Sequence, residues 1–150
     1  MDSYAWTGSL GEPVSIGITP IGLRLNVPFN GTVTADGEMN GAEVRGVDYL
    51  TIRPDGISVI NAHEAIISNN GSSVQNALAI GYIVPPFEMP PLEAMLEADF
   101  KWPDADLPMH GAITFESGQK GSPLNRTVYA FTGKVNVGLG QISVSAKAIV

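Results

Sequence analysis

Apolar and polar positions alternate with a period of two through most of this chain, which is the spacing of strands that bury one face and wet the other. Residues 14–18 and 22–29 follow that rule, and Asn30-Gly31 comes next as a pair suited to a tight turn, so a strand and its exit are expected there. Asn40-Gly41 and Asn69-Asn70-Gly71 repeat the punctuation, which predicts successive hairpins in a meander. Residues 47–53 and 57–67 are joined by Pro54-Asp55-Gly56, where proline presets φ and glycine permits a positive φ, and a hairpin is predicted around it. Strands are further expected at 73–84, 111–116, 125–134 and 141–150, with residues 138–140 turning the last pair. About nine or ten strands result, enough to close an antiparallel barrel and remove exposed edges, in one all-β domain over residues 1–150.

One stretch has a different period. After Pro90-Pro91, residues Leu92, Met95 and Leu96 fall at i, i+3 and i+4, which predicts a short amphipathic helix near 91–99, ended before Pro103 and laid over a barrel end. Its acidic outer face reads as solvated surface.

Charge narrows the partners. Eight Lys and Arg against 15 Asp and Glu give a net charge of −7, a field that repels phosphate backbones and anionic membrane surfaces, so neither nucleic acid nor membrane is expected as a partner. The 15% charged share against 44% hydrophobic excludes a disordered chain and leaves uncharged surface for self-association into a homodimer. No cysteine is present, so thiolate chemistry and disulfides are out, and with no basic and apolar leader at the N-terminus a cytoplasmic location is expected.

Four stretches carry a family resemblance. They are Ile18-Thr19-Pro20 with Gly22 and Arg24, then Gly46-Val47-Asp48-Tyr49 followed by Arg53-Pro54-Asp55-Gly56, then Phe115-Glu116-Ser117-Gly118, and Leu124-Asn125-Arg126-Thr127. In this order they resemble the DUF3237 family, also known as UPF0311, from Gly11 to the C-terminus. The resemblance implies a small β-barrel, of calycin-like or allene-oxide-cyclase-like kind, and attaches no reaction to it. Two departures stand out: where relatives are expected to carry interior arginines, this chain has His63 and His110.

In a closed barrel an inward polar side chain either meets a partner or lines a cavity. Asp48 shares a face with Leu50 and Ile52, so it is expected to point into apolar surroundings, as a general base or as a structural Asp bonded to a turn or an arginine. On 57–67 His63 and Glu64 fall on opposite faces; if His63 faces the cavity as the second acid/base group, Glu64 faces solvent or a partner, the more economical arrangement since a neutral imidazole costs less to bury than a carboxylate, and the alternative for His63 is a satisfied core or surface histidine. His110 is expected at the rim. Arg24, Arg53 and Arg126 could clamp a carboxylate or enolate, or pair with Asp48, Asp55 or Glu116. Asn125 is a further group for charge on a substrate oxygen; Tyr49 and Tyr129 either donate a proton or pack, and Trp6, with Tyr4, is set to close one barrel end.

The Gly-x-Ser-x-Gly elbow, the phosphate loop and the dinucleotide fingerprint are all missing. A metal site would need His63, His110 and carboxylates brought together by the fold, and neither metal nor cofactor is expected. The leading expectation is a cofactor-free isomerase, cyclase or lyase that moves a proton on a small, largely apolar molecule. A non-catalytic small-molecule barrel and a structural homodimeric domain are the alternatives.

Overall fold

A computed structural model describes residues 1–149, so the predicted strand end at Val150 lies outside the described residues. Nine strands form one antiparallel sheet. They are β1 (Ser3–Leu10), β2 (Val14–Thr19), β3 (Gly22–Ala35), β4 (Glu43–Ile52), β5 (Ser58–Ile67), β6 (Val74–Ile83), β7 (Leu107–Ser117), β8 (Val128–Asn136) and β9 (Gln141–Ala148). Strands β3 to β9 pair with their sequence neighbours, and β1 closes the ring by pairing with both β9 and β3. Eight strands make the barrel; β2 pairs only with β3 and stands outside the ring.

The predicted turn at Asn30-Gly31 does not exist, because both residues lie in the middle of β3. Gly31 instead faces Gly8 of β1, and a Cβ on Gly8 would lie 1.8 Å from the Asn30 carbonyl oxygen. The glycines serve the close crossing of two backbones at the closure of the ring, a demand local turn chemistry does not reveal. Three residues earlier, Pro28 marks the place where β1 ends along β3 and β2 begins. Its carbonyl accepts from Gly11 N at 2.7 Å, and its missing N–H falls on this same broken edge, where no ladder bond is lost.

Alternation decides the core. On β7, Leu107, Met109, Ile113 and Phe115 are buried while Pro108, His110, Thr114 and Glu116 are exposed. One end of the barrel is filled by Tyr4, Phe115 and Tyr129, whose rings meet edge to face at centroid distances of 5.3–5.7 Å. The other end stays open between the unpaired edge of β2 and the β8–β9 turn. The segment after β6 folds over that end, and its helix α1 (Leu92–Met95) is a single turn rather than a helix through 91–99, with no basic residue in its last turn. Leu92 and Met95 are buried against the barrel, as the apolar stripe predicts.

Candidate functional site

The hairpin of β4 and β5 builds the site. Arg53 N–H bonds to the Ile57 carbonyl at 2.9 Å across the Pro54-Asp55-Gly56 turn, with Gly56 at φ 86°, and this fixes the register in which Asp48 stands opposite Ala62 and Gly46 opposite Glu64. Residues directly opposite in an antiparallel pair share a face. Gly46, Asp48, Leu50 and Ile52 therefore point inward together with Ser58, Ile60, Ala62 and Glu64. Gly46 has a packing reason: a Cβ there would lie 2.7 Å from the tip of the Phe29 ring and 2.8 Å from Cβ of Glu64. Its absence seats the Phe29 ring beside Glu64, and Trp6 stacks on Phe29 at 5.4 Å.

These side chains line a cavity of about 750 Å³ inside the barrel. Its wall is largely aliphatic and aromatic, including Leu25, Ile60, Met109, Ile113 and Phe131, and Met89, Met95 and Trp102 from the segment after β6. The polar exceptions are Asp48, Glu64, Ser58 and the Trp6 indole in the interior, with Glu12 and Ser15 near the mouth. Glu64 is 5% exposed and its Oε1 has no hydrogen-bond partner; the Trp6 Nε1 donor has none either. Asp48 Oδ1 accepts from Asn61 N–H at 2.9 Å, at the point where pairing of β4 with β5 lapses at Tyr49 and Leu50.

Electrostatics separates the two carboxyls. Burial pushes Asp48 up to about 6, opposed by the Asn61 N–H bond to its charged form. Burial pushes Glu64 further, to about 8, and the nearby Asp48 charge adds to the rise. Of the pair, Glu64 is thus the carboxyl that keeps its proton to the higher pH. Tyr4, at the filled end, is driven well above its usual range by burial and then by the Glu64 charge, so its hydroxyl stays neutral.

The structure brings Asp48 and Trp6 of the sequence-predicted set into the cavity and leaves the others outside it. His63 is exposed on the outer face, edge-on to exposed Tyr49 at 5.7 Å, and Glu64 is the inward residue, the reverse of the expectation. His110 also lies on the outer face, beside Tyr82, so neither histidine stands at an interior position. Arg24 lies on β3 between the inward Leu23 and Leu25 and does not line the cavity. Arg53 closes the hairpin turn by an ion pair with Asp55, the pairing the sequence offers as an alternative to a substrate clamp. Asn125 and Arg126 belong to a 3-10 turn, Pro123–Arg126, not to a strand, because Pro123 follows a Ser122 cap that accepts from Leu124 N. The Asn125 side chain holds the backbone of Ser117 from both sides, at 2.7 and 3.0 Å, and Arg126 is exposed. Tyr129 is buried in the filled end, its hydroxyl donating to the Met1 carbonyl at 2.6 Å. Among the described residues no group of three His, Asp or Glu side chains is placed to hold a metal, and no helix is long and apolar enough to cross a membrane.

The family described as "Protein of unknown function (DUF3237)" matches residues 4–148. The chain belongs to the DUF3237 family. Three solved structures share the barrel. A conserved protein of unknown function from Rhodopseudomonas palustris has a TM-score of 0.75 at 18% identity, covering 99% of this chain and 95% of its own. A protein of unknown function from Clostridium acetobutylicum has 0.75 at 20%, covering 100% and 97%. A β-barrel-like protein from Acinetobacter baumannii has 0.71 at 16%, covering 97% and 91%. No curated protein sequence matches this DUF3237 chain. Two of its family-like stretches, Phe115 to Gly118 and Leu124 to Thr127, meet through the Asn125–Ser117 bonds, which gives both a structural use.

Proposed function

We propose that this protein is a cofactor-independent acid/base enzyme that relocates a proton on a small, largely apolar molecule held in the barrel, as an isomerase, cyclase or lyase does. The observation that carries this reading is the carboxyl pair Asp48 and Glu64, two acids lining one apolar cavity, both raised by burial and Glu64 the more, so that one is the better base and the other the better acid. Asp48 takes the base role in place of the two histidines, and Glu64 takes the acid role. A proton passes from a carbon of the substrate to Asp48, and Glu64 delivers its own proton to a second position or to a leaving oxygen. The two carboxyls then regain their starting states by exchange with water at the open end. The unpaired Trp6 N–H supplies a donor for a substrate oxygen, and the apolar wall orients the rest. The cysteine-free composition suits work in the cytoplasm.

The test begins with denaturing extraction of the freshly purified protein and identification of any co-purified small molecule by mass spectrometry. That molecule is returned to the protein in D2O and followed by NMR. Conversion or carbon-bound deuterium uptake that disappears in Asp48→Asn and in Glu64→Gln supports the enzyme. A molecule bound at one equivalent and released unchanged and unlabelled sinks it in favour of a non-catalytic binding barrel, for which the same enclosed apolar cavity suffices.

A further inference from the structure

The cavity has carboxylates and no cation. Among its lining residues Asp48 and Glu64 lie in the interior and Glu12 lies near the mouth, while no Lys, Arg or His reaches it. The two ion pairs among the described residues, Arg45 with Glu43 and Arg53 with Asp55, are spent elsewhere on the surface. A buried charge without a partner is costly, and so is a buried carboxyl oxygen without a hydrogen bond. Asp48 accepts one backbone N–H, and the Oε1 of Glu64, on a side chain 95% removed from solvent, accepts nothing. Beside Glu64 stands the tip of the Phe29 ring with Trp6 stacked on its face, a rigid aromatic boundary that offers Glu64 no hydrogen-bond donor.

We propose that the ligand is an apolar molecule bearing a protonated basic nitrogen, its ammonium seated between Asp48 and Glu64 beside Phe29, so that the ligand supplies the counterion this cavity lacks. The inference rests on the cavity being the ligand site and is independent of whether a reaction follows. An ammonium donates two or three hydrogen bonds at once, which serves both carboxyls, whereas a carboxylate or phosphate ligand would add like charge to a space with nothing to neutralise it. The hydrocarbon part of the ligand fills the wall of Leu25, Ile60, Met109 and Phe131.

The test is calorimetric titration of the full chain with three probes of one skeleton: naphthylethylammonium, naphthylethanol and naphthylacetate. The ammonium is expected to bind on the order of tenfold or more tighter than the alcohol, with the acetate weakest. In the Asp48→Asn, Glu64→Gln double variant the ammonium should lose that advantage while the alcohol binds as before, which also shows that the variant is folded and its cavity intact. Equal binding of alcohol and ammonium, or a preference that survives the double variant, overturns the inference and leaves the cavity as the ligand site. Failure of all three probes to bind removes the cavity as a site for molecules of this kind and the inference with it.

Discussion

The two faces of the β4–β5 hairpin differ by one residue in sequence and by a solvent in physics. Outside, His63, Asn61 and Tyr49 are exposed; inside, Glu64 and Asp48 share an enclosed space with Phe29 and Leu50. The inner carboxyls are cut off from that solvent, and their proton affinities separate. The candidate chemistry therefore lies with the residue types that are usually acids in water, not with the histidines whose ordinary pKa suits neutral pH.

The sharpest way to break the contrast is to neutralise each face in turn. Asp48→Asn or Glu64→Gln is expected to lower turnover of the co-purified molecule by roughly 10²–10⁴-fold, while His63→Ala and His110→Ala keep it within about twofold of the parent; steady-state kinetics on purified variants checks both arms. Stability should move the opposite way. The folded pKa of Glu64 is raised above 4.5 to about 8, so the folded state keeps a proton that the unfolded chain has released, and its contribution to stability falls as pH rises through this window. Glu64→Gln is accordingly expected to be more stable than the parent by a few kcal/mol above pH 8, at about 1.4 kcal/mol for each pKa unit, with the gain fading toward pH 4.5. Urea unfolding of parent and variant across that range measures it, and a pH-independent difference would remove the desolvation account.

A smaller effect tests the seat of the pair. Gly46→Ala puts a Cβ against the His63 carbonyl, Phe29 and Glu64, and should cost about 1–3 kcal/mol in the same unfolding assay. On the outer face Tyr49→Ala removes only an exposed contact with His63 and should shift stability by no more than about 0.5 kcal/mol. A large loss there would mean that this face is covered in solution.

Much of this wall was legible beforehand. The turn at Pro54-Asp55-Gly56 and the inward reading of Asp48 both hold, and together they imply Glu64. A hairpin centred on Asp55 sets Asp48 opposite Ala62, and Glu64 shares the face of Ala62. The expectation failed by judging the burial of each side chain as if its ordinary charge were fixed, which favoured the imidazole; protonation lets the barrel take the carboxyl instead. Asn30-Gly31 misled for a different reason. Its glycine answers to Gly8 across a non-local pairing, which a two-residue turn signal mimics. β1 itself went unpredicted, and Tyr129 was left between proton donor and packing residue, because membership of the filled end depends on how β8, β9 and β1 meet, and that is a property of closure rather than of any one stretch.

That closure also has a meaning in time. Every pairing apart from those of β1 joins strands consecutive in the chain, so each hairpin can zip as soon as its second strand exists. β1 can meet β3 early, but its other edge waits for β9, the last strand to be made, and Ser3 finds Lys147 only when the intervening barrel is in place. The entropy of closing the longest loop falls on this one seam, which makes it the natural bottleneck of folding. Until it forms, the first strand presents a bare ladder edge, the feature through which partly folded chains pair with one another.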